Sequence, residues 1–404
     1  MIPEILERHA EEVAFLWRLR DAAAVAPHHD RASLAALDER IDAHLDGLRI
    51  AGDQGFETAA GALDPDEPGS VFTVAALAAE RADEEGMGAA LALAEASVPA
   101  ARAITSALAW APFDAARPVI ERLLSAWAPA AQRRIGIAAS AAHRKDPGEP
   151  LAWAVHDDDP RLRARALRAA GELARRDLLG VARDAMRSDH EETRFWAAWS
   201  WALLGDGAAV PALWSIARAG GPFAERAVAV AARKGDPLDA RARIEDLGMA
   251  PATARAAIVG AEALGDPVMV PWLFERMSAP ALARAAAEAF ATITAAVVER
   301  ELRGDKPEGF EPGPNDDPRD ANVAMDRDRN LPWPAPDALR AWWSARERGF
   351  RRGVRYLLGA PISPEVAENA LYTASQKRRA SAAIEVALLR PGQPLPEVRG
   401  RTRA

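Results

Sequence analysis

The chain has 404 residues, 49% of them hydrophobic and 27% charged, which are globular values and enough length for two or three ordinary domains. It contains no cysteine, which excludes disulfides, iron–sulfur clusters, thiolate zinc sites and cysteine nucleophiles and fits a reducing, cytoplasmic compartment. The net charge of −8 is uneven: residues 338–404 hold 13 Lys/Arg against 5 Asp/Glu, which leaves −16 on residues 1–337 and disfavours a nucleic-acid partner unless a local basic face exists.

The first residues, MIPEILERHAEEVAFLW, are acidic and lack the basic and apolar regions of a signal peptide. No apolar run approaches the ~18 residues of a membrane-spanning helix, so no membrane insertion is expected. Residues 3–26 and 31–51 read as two amphipathic helices, ending at Pro27-His28-His29-Asp30 and at Gly52. With the segment up to residue 69 they are expected to form a helical cap at the N-terminal end of the fold.

From residue 70 to 298 the chain repeats itself. An aspartate recurs at Asp83, Asp114, Asp146, Asp177, Asp206, Asp236 and Asp266, spaced by 31, 32, 31, 29, 30 and 30. Upstream of the later ones stand Arg102, Arg134, Arg165, Arg194, Arg226 and Arg255, and Arg284 extends the series. An Ala-rich helix precedes each aspartate, and a second helix comes after it, often with proline in its first turn (Pro118, Pro150, Pro211, Pro271). The expectation is that each aspartate caps the second helix, accepting its free N–H groups, and that each arginine braces neighbouring repeats. One helix pair cannot bury its own apolar face, whereas stacked pairs share a continuous core, so the fold class is all-α, an α-solenoid of about seven short repeats.

Two aromatic features stand out in the array. In RFWAAWSWALLGD, residues 194–206, Trp196 falls in a column with Leu167 and Ile104, and Trp199 in one with Ala170, Ala139 and Ala107. Trp201 falls in a column with Glu172, Ala141 and Ala109, and lies roughly 140° from Trp196 on a helical wheel. The first two are expected in the core and Trp201 on the surface. Separately, Trp153, Trp214 and Phe274 recur 61 and 60 residues apart on the second helices. Together with Trp201 they are candidate partner-binding residues, with core filling as the competing explanation.

Residues 299–336, which include GDKPEGFEPGPNDDPRDANVAMDRDRN, read as a flexible acidic loop rich in Pro and Gly. Residues 337–404 read as a C-terminal helical module with a basic tail. That tail could dock on the acidic body, on the loop over 304–320, or on a partner.

The unit DPRLRARALRAAGELARRDLL, residues 159–179, resembles short HEAT-like repeats of the bilin-lyase type, and the likeness extends over roughly 70–298. That resemblance implies the fold and says little of function. The N-terminal ILERHAEEVAFLWRLRDAA and the C-terminal LPWPAPDALRAWWSARERGFRRGVRYLLGAPI are similar to an uncharacterised proteobacterial family with such repeats in its middle. Its members are often associated with type VI secretion effector and adaptor genes. The resemblance implies a cytoplasmic, non-enzymatic adaptor or chaperone-like scaffold whose partner is an effector or secretion component.

The alternative is an enzyme on this scaffold. HEAT-type di-iron hydroxylases use several His-Glu pairs at equivalent positions, and here only His190-Glu191 forms one. His28-His29-Asp30 could bind a metal but reads better as a solvated turn. Trp110 and Asp114 resemble part of the Trp/Asp/Arg set of HEAT-like alkylpurine DNA glycosylases, although Asp114 already has a capping role in the repeat. No P-loop, GxGxxG, GxSxG or HExxH is present, and no catalytic residue, metal or cofactor is expected.

Overall fold

The computed structural model describes residues 2–317, 319–321 and 323–402. The protein is an all-α solenoid, 67% helical, and its only paired strands among the described residues are two residues long. The chain divides into two compact units. Unit 1 comprises Met1–Leu204, Thr373–Ala380 and Pro391–Ala404; unit 2 comprises Gly205–Tyr372 and Ser381–Arg390. This division crosses the expected repeat region between Leu204 and Gly205.

Unit 1 begins with α1 (Pro3–Ala23), α2 (Arg31–Ile50) and α3 (Asp53–Gly61). Helices α4 (Pro68–Arg81), α5 (Glu84–Ala96), α6 (Val98–Trp110), α7 (Phe113–Leu123), α8 (Ala130–Ala142), α9 (Glu149–Ala154), α10 (Pro160–Glu172), α11 (Leu179–Ala185) and α12 (Glu191–Leu203) come next. The even-numbered helices from α4 to α12 pack side by side in one row, and the odd-numbered ones lie behind them in a second. The front row carries the arginine series. Its small residues let the helices approach closely: a Cβ on Gly171 of α10 would sit 2.5 Å from Ser200 Oγ of α12, and that hydroxyl donates to Leu167 O at 2.6 Å.

Unit 2 is built from helix pairs of the same kind, α13 (Val210–Ala219), α14 (Ala224–Lys234), α15 (Pro237–Leu247), α16 (Pro251–Leu264), α17 (Val270–Arg276) and α18 (Pro280–Thr294), and adds α19 (Pro336–Ser344) and α20 (Pro364–Thr373). A last helix, α21 (Gln376–Leu389), contributes residues to both units. Inside the expected helical module, residues 356–361 instead form an antiparallel pair, Tyr356–Leu357 with Ala360–Pro361, turned by Leu358 and Gly359 at positive φ. Its backbone has a reason to be extended. Tyr356 N–H donates to Gly265 O, and Leu358 and Gly359 donate to Thr292 O and Ile293 O, which fills carbonyls left open at the ends of α16 and α18.

The capping expectation holds at some repeats and fails at others. Asp83, Asp206, Asp236 and Asp266 accept first-turn N–H groups at 2.8–3.0 Å. Asp114 does not cap α7, because Pro112 occupies the N-cap and Asp114 lies inside the first turn. Asp146 accepts Gly148 N–H in the turn before α9 and pairs with Arg175, and Asp177 is held by the same guanidinium at 2.7 and 2.8 Å. The cap of α10 is Asp159, which accepts Leu162 N–H at 2.7 Å.

The 299–336 segment is irregular, but parts of it are firmly held. A bridge between Arg303 and Pro334 closes its base. Asp328 is buried, with 4% of its surface exposed, which departs from a wholly flexible loop.

Candidate binding groove

Along α10, Arg161, Arg165, Arg168 and Glu172 stand four, three and four residues apart, so they form one stripe. That stripe faces a cavity of about 350 Å³ in unit 1. Arg102 on α6, Arg134 on α8, Glu192 and Trp196 on α12, and Arg20 and Asp21 on α1 complete its helical wall. The basic tail closes one side with Glu397, Arg399 and Arg401, and Arg144 lines it beyond the end of α8. Nine arginines and four carboxylates therefore line this hollow, although the body of the chain is acidic.

The groups differ in how well they are matched. Arg102 pairs with Asp21. Glu172 is buried, which alone would push its carboxyl up, but Arg165, Arg168 and Arg144 hold it down to about 2. Arg168 donates to Glu172 at 2.7 Å and lies over the Trp196 ring. Arg165 comes within 3.0 Å of Glu172, but the two atoms are misaligned for a hydrogen bond, so this contact is Coulombic. Burial lowers the Arg165 pKa further than Glu172 raises it. Arg134 and Arg161 make no ion pair or hydrogen bond within the described residues. Burial and repulsion from Arg161 lower the Arg134 pKa.

The tail enters the groove through its backbone as much as its charges. Leu395 N–H donates to Glu172 O at 2.9 Å, and Arg144 binds Leu395 O. Arg20, paired with Asp38 at 2.8 Å, also donates to the Arg399 and Gly400 carbonyls. Thr402 N–H binds Asp38, Arg401 pairs with Asp42, and Arg399 lies 3.5 Å from Asp21. The tail thus docks in cis, on the carboxylates of α1 and α2. Burial and the nearby Arg102 lower the Arg399 pKa to about 10.

These helix pairs and their arginine column define the repeat. Residues 148–234 match the family of HEAT repeats. No curated protein and no solved structure matches the chain. The match covers part of the array, and the chain is a HEAT-like repeat protein.

The HEAT-like front row, rather than the row behind it, forms the groove, which corrects the expected aromatic row. Trp214 and Phe274 belong to second-row helices and are buried, with 3% of each exposed. Phe274 meets Phe290 of the front row at 5.3 Å, and Trp214 is covered by Arg243 of α15. Trp153 is exposed, but it borders a separate hollow beside Phe113 and Lys145. Trp201 is also buried, contrary to expectation, because ten of the 13 residues of α12 are enclosed. The glutamate that marks its column as surface, Glu172, is itself a buried charge in an arginine network. Trp196 and Trp199 are buried as expected.

The arginine series does more than brace repeats. Arg194 donates to Ser188 O and Asp189 O in its own preceding turn. Arg226 stands on α14. Arg255 grips Asp328 with two bonds, and Arg284 grips Asp326 at 2.8 and 2.9 Å and Asp328 O at 2.9 Å. Trp110 lines the groove, but the exposed Asp114 does not, so the glycosylase-like pair is not assembled there. Among the described residues no three His, Asp or Glu side chains converge as a metal site requires. No helix among them is long and apolar enough to cross a membrane.

Sequence alone does not single out Arg161 and Arg168 as groove residues. Their spacing with Arg165 and Glu172 is the available signal: a charged stripe on a helix otherwise enclosed by neighbours.

Proposed function

We propose that this HEAT-like protein is a non-enzymatic scaffold that holds a protein partner in the arginine-lined groove of unit 1. The observation that carries this reading is Arg134, half-buried at the wall of a built cavity beside the exposed Arg161, with no ion pair or hydrogen bond to its side chain among the described residues. Burial and repulsion from Arg161 disfavour the charge on Arg134, and an anionic ligand would offset both. The role of adaptor or chaperone-like accessory for a secreted effector, in the cytoplasm, rests on the resemblance of the two terminal segments. A pull-down of neighbouring gene products with the full chain and with the double variant Arg134→Glu/Arg161→Glu tests the proposal. A partner retained by the wild type and lost by the variant supports it. Equal retention by both places the binding surface elsewhere.

An enzymatic or nucleic-acid reading has one observation in its favour, Trp110 among arginines. Its ring is already engaged, with Arg20 and Arg401 over it at 5.8 and 5.5 Å and its N–H bonded to Asp42 at 2.8 Å. A stacking platform for bases needs an open aromatic face. Salt-sensitive DNA binding at physiological ionic strength, lost on Trp110→Ala, would revive that reading.

A further inference from the structure

We infer that the groove of unit 1 takes an acidic segment with two carboxylates two residues apart, Asp-x-Asp, seated on Arg134 and Arg161. This rests on the groove being the binding site and adds the chemistry of what binds there.

The inference starts from the arginine column itself. In unit 2 the same column already holds such a segment, supplied by the chain's own Asp326-Arg327-Asp328. Arg284 takes the Asp326 carboxylate with two parallel bonds, and Arg255 takes that of Asp328 with two bonds of 2.5 and 2.8 Å. The segment also offers its backbone, since Arg284 bonds Asp328 O. The intervening Arg327 turns away to Glu225 at 3.0 Å. Asp328 N–H donates to Asp326 Oδ1 at 3.0 Å and Arg329 N–H to Asp326 O at 3.3 Å, so the segment is a tight turn that presents its two carboxylates to guanidiniums of successive front-row helices.

In unit 1, Arg134 stands in that same column and makes no ion pair among the described residues, with Asp159 and Glu192 the carboxylates nearby, and the exposed Arg161 stands one turn before the column's Arg165 on the next front-row helix. The docked tail brings no carboxylate to Arg134: its contacts to the front row run through the Leu395 backbone, through Arg401 over Trp110, and through Glu397, which pairs with Arg144 at 3.1 Å. Its own Arg399 and Arg401 add positive charge to the groove. A phosphate-bearing ligand would meet the same guanidiniums, but the carboxylate pair is what this column binds within this molecule.

The test is fluorescence anisotropy of the full chain with a labelled Gly-Ala-Asp-Ser-Asp-Ala-Gly peptide, its Asn-Ser-Asn counterpart, and a short single-stranded oligonucleotide. The Asp peptide should bind at least about tenfold more tightly than the Asn peptide. Arg134→Gln and Arg161→Gln should each weaken it by about tenfold, and Arg183→Gln, an exposed arginine on α11, should leave it unchanged. Thermal unfolding confirms that each variant is folded. Equal binding of the two peptides, insensitivity to Arg134→Gln and Arg161→Gln, or binding of the oligonucleotide in place of the Asp peptide would overturn the inference. If Arg134→Glu/Arg161→Glu abolishes partner capture while the Asp peptide fails to bind, the groove reading stands and this one falls. If partner capture survives those changes, the groove reading itself falls.

Discussion

The two units use one arginine column in opposite ways. In unit 2 both cations of the column on α16 and α18 are met: Arg255 by Asp328, and Arg284 by Asp326 and a backbone carbonyl. In unit 1 the column runs from Arg102, held by Asp21, through Arg134, which makes no ion pair among the described residues, to Arg165, which meets the buried Glu172 of its own helix and Ala138 O, and to Arg194, which bonds the carbonyls of its preceding turn. Equivalent repeat positions therefore give a closed structural clamp in one unit and an open charged wall in the other. The helices at these positions are alike; what differs is whether another segment of the chain brings carboxylates. In unit 2 the 299–336 segment does. In unit 1 the tail brings mostly backbone and further arginines.

The largest effect that separates these two states is on the clamp. Arg284→Ala should destabilise unit 2 by about 3–5 kcal/mol, because it removes both guanidinium bonds to the Asp326 carboxylate and one of the two bonds to Asp328 O. Denaturant unfolding measures the loss, and limited proteolysis should find new cleavage between residues 310 and 330 at the same time. A stability change below about 1 kcal/mol would mean that the clamp is ornamental and that the contrast between the units has no energetic content.

Acid sharpens the comparison at the next level. The Glu172 carboxyl titrates near 2 in the folded chain against about 4.3 when unfolded. A folded value below the unfolded one means that the ionised form stabilises the native state. Its contribution, on the order of 3 kcal/mol, is complete above the unfolded value and disappears as the pH falls through about 2. Glu172→Gln should therefore lower stability at pH 7 and make the remaining stability of unit 1 less dependent on pH between about 4.3 and 2. Denaturant midpoints across that window, compared with wild type, check the sign. A variant that keeps the full acid sensitivity would show that the arginines on α10 do not depend on this carboxylate.

How far these features can be read in advance depends on which physical signal each one leaves. The helix pairs are legible because burial of one helical face imposes a period, and the thirty-residue return of Asp and Arg exposes it. Caps at Asp206, Asp236 and Asp266 follow from the turn chemistry, whereas Pro112 and Gly148 displace the cap at two earlier repeats. Trp201 is misplaced by the column comparison because a glutamate in its column suggests solvent, and a buried ion network satisfies a glutamate equally well. Trp214 and Phe274 suggest a groove because a periodic aromatic row looks the same whether it faces a ligand or the neighbouring row. The pairing of 356–361 and the seat of the tail depend on groups far away in sequence, Thr292 O and Ile293 O for one and Asp38 and Asp42 for the other, and no local pattern encodes them. The groove itself leaves a readable trace in the 161, 165, 168, 172 stripe, but the direction in which that stripe faces is a property of the packed rows.

The smallest predicted effect is the most discriminating. Arg134→Ala removes a cation that makes no ion pair among the described residues, that burial disfavours and that Arg161 repels more strongly than either Asp159 or Glu192 attracts it. Its loss should leave stability within about 0.5 kcal/mol of wild type, or raise it slightly, and raising the salt concentration should erase any gain because screening already weakens the repulsion. Arg284, in the same column, is expected to cost several kcal/mol, so the ratio of the two effects measures how far the repeat has been turned from brace to binding wall. A loss at Arg134 comparable to that at Arg284 would show that position to be a structural clamp, and the wall of unit 1 would then have no unmatched charge on α8 to offer a ligand.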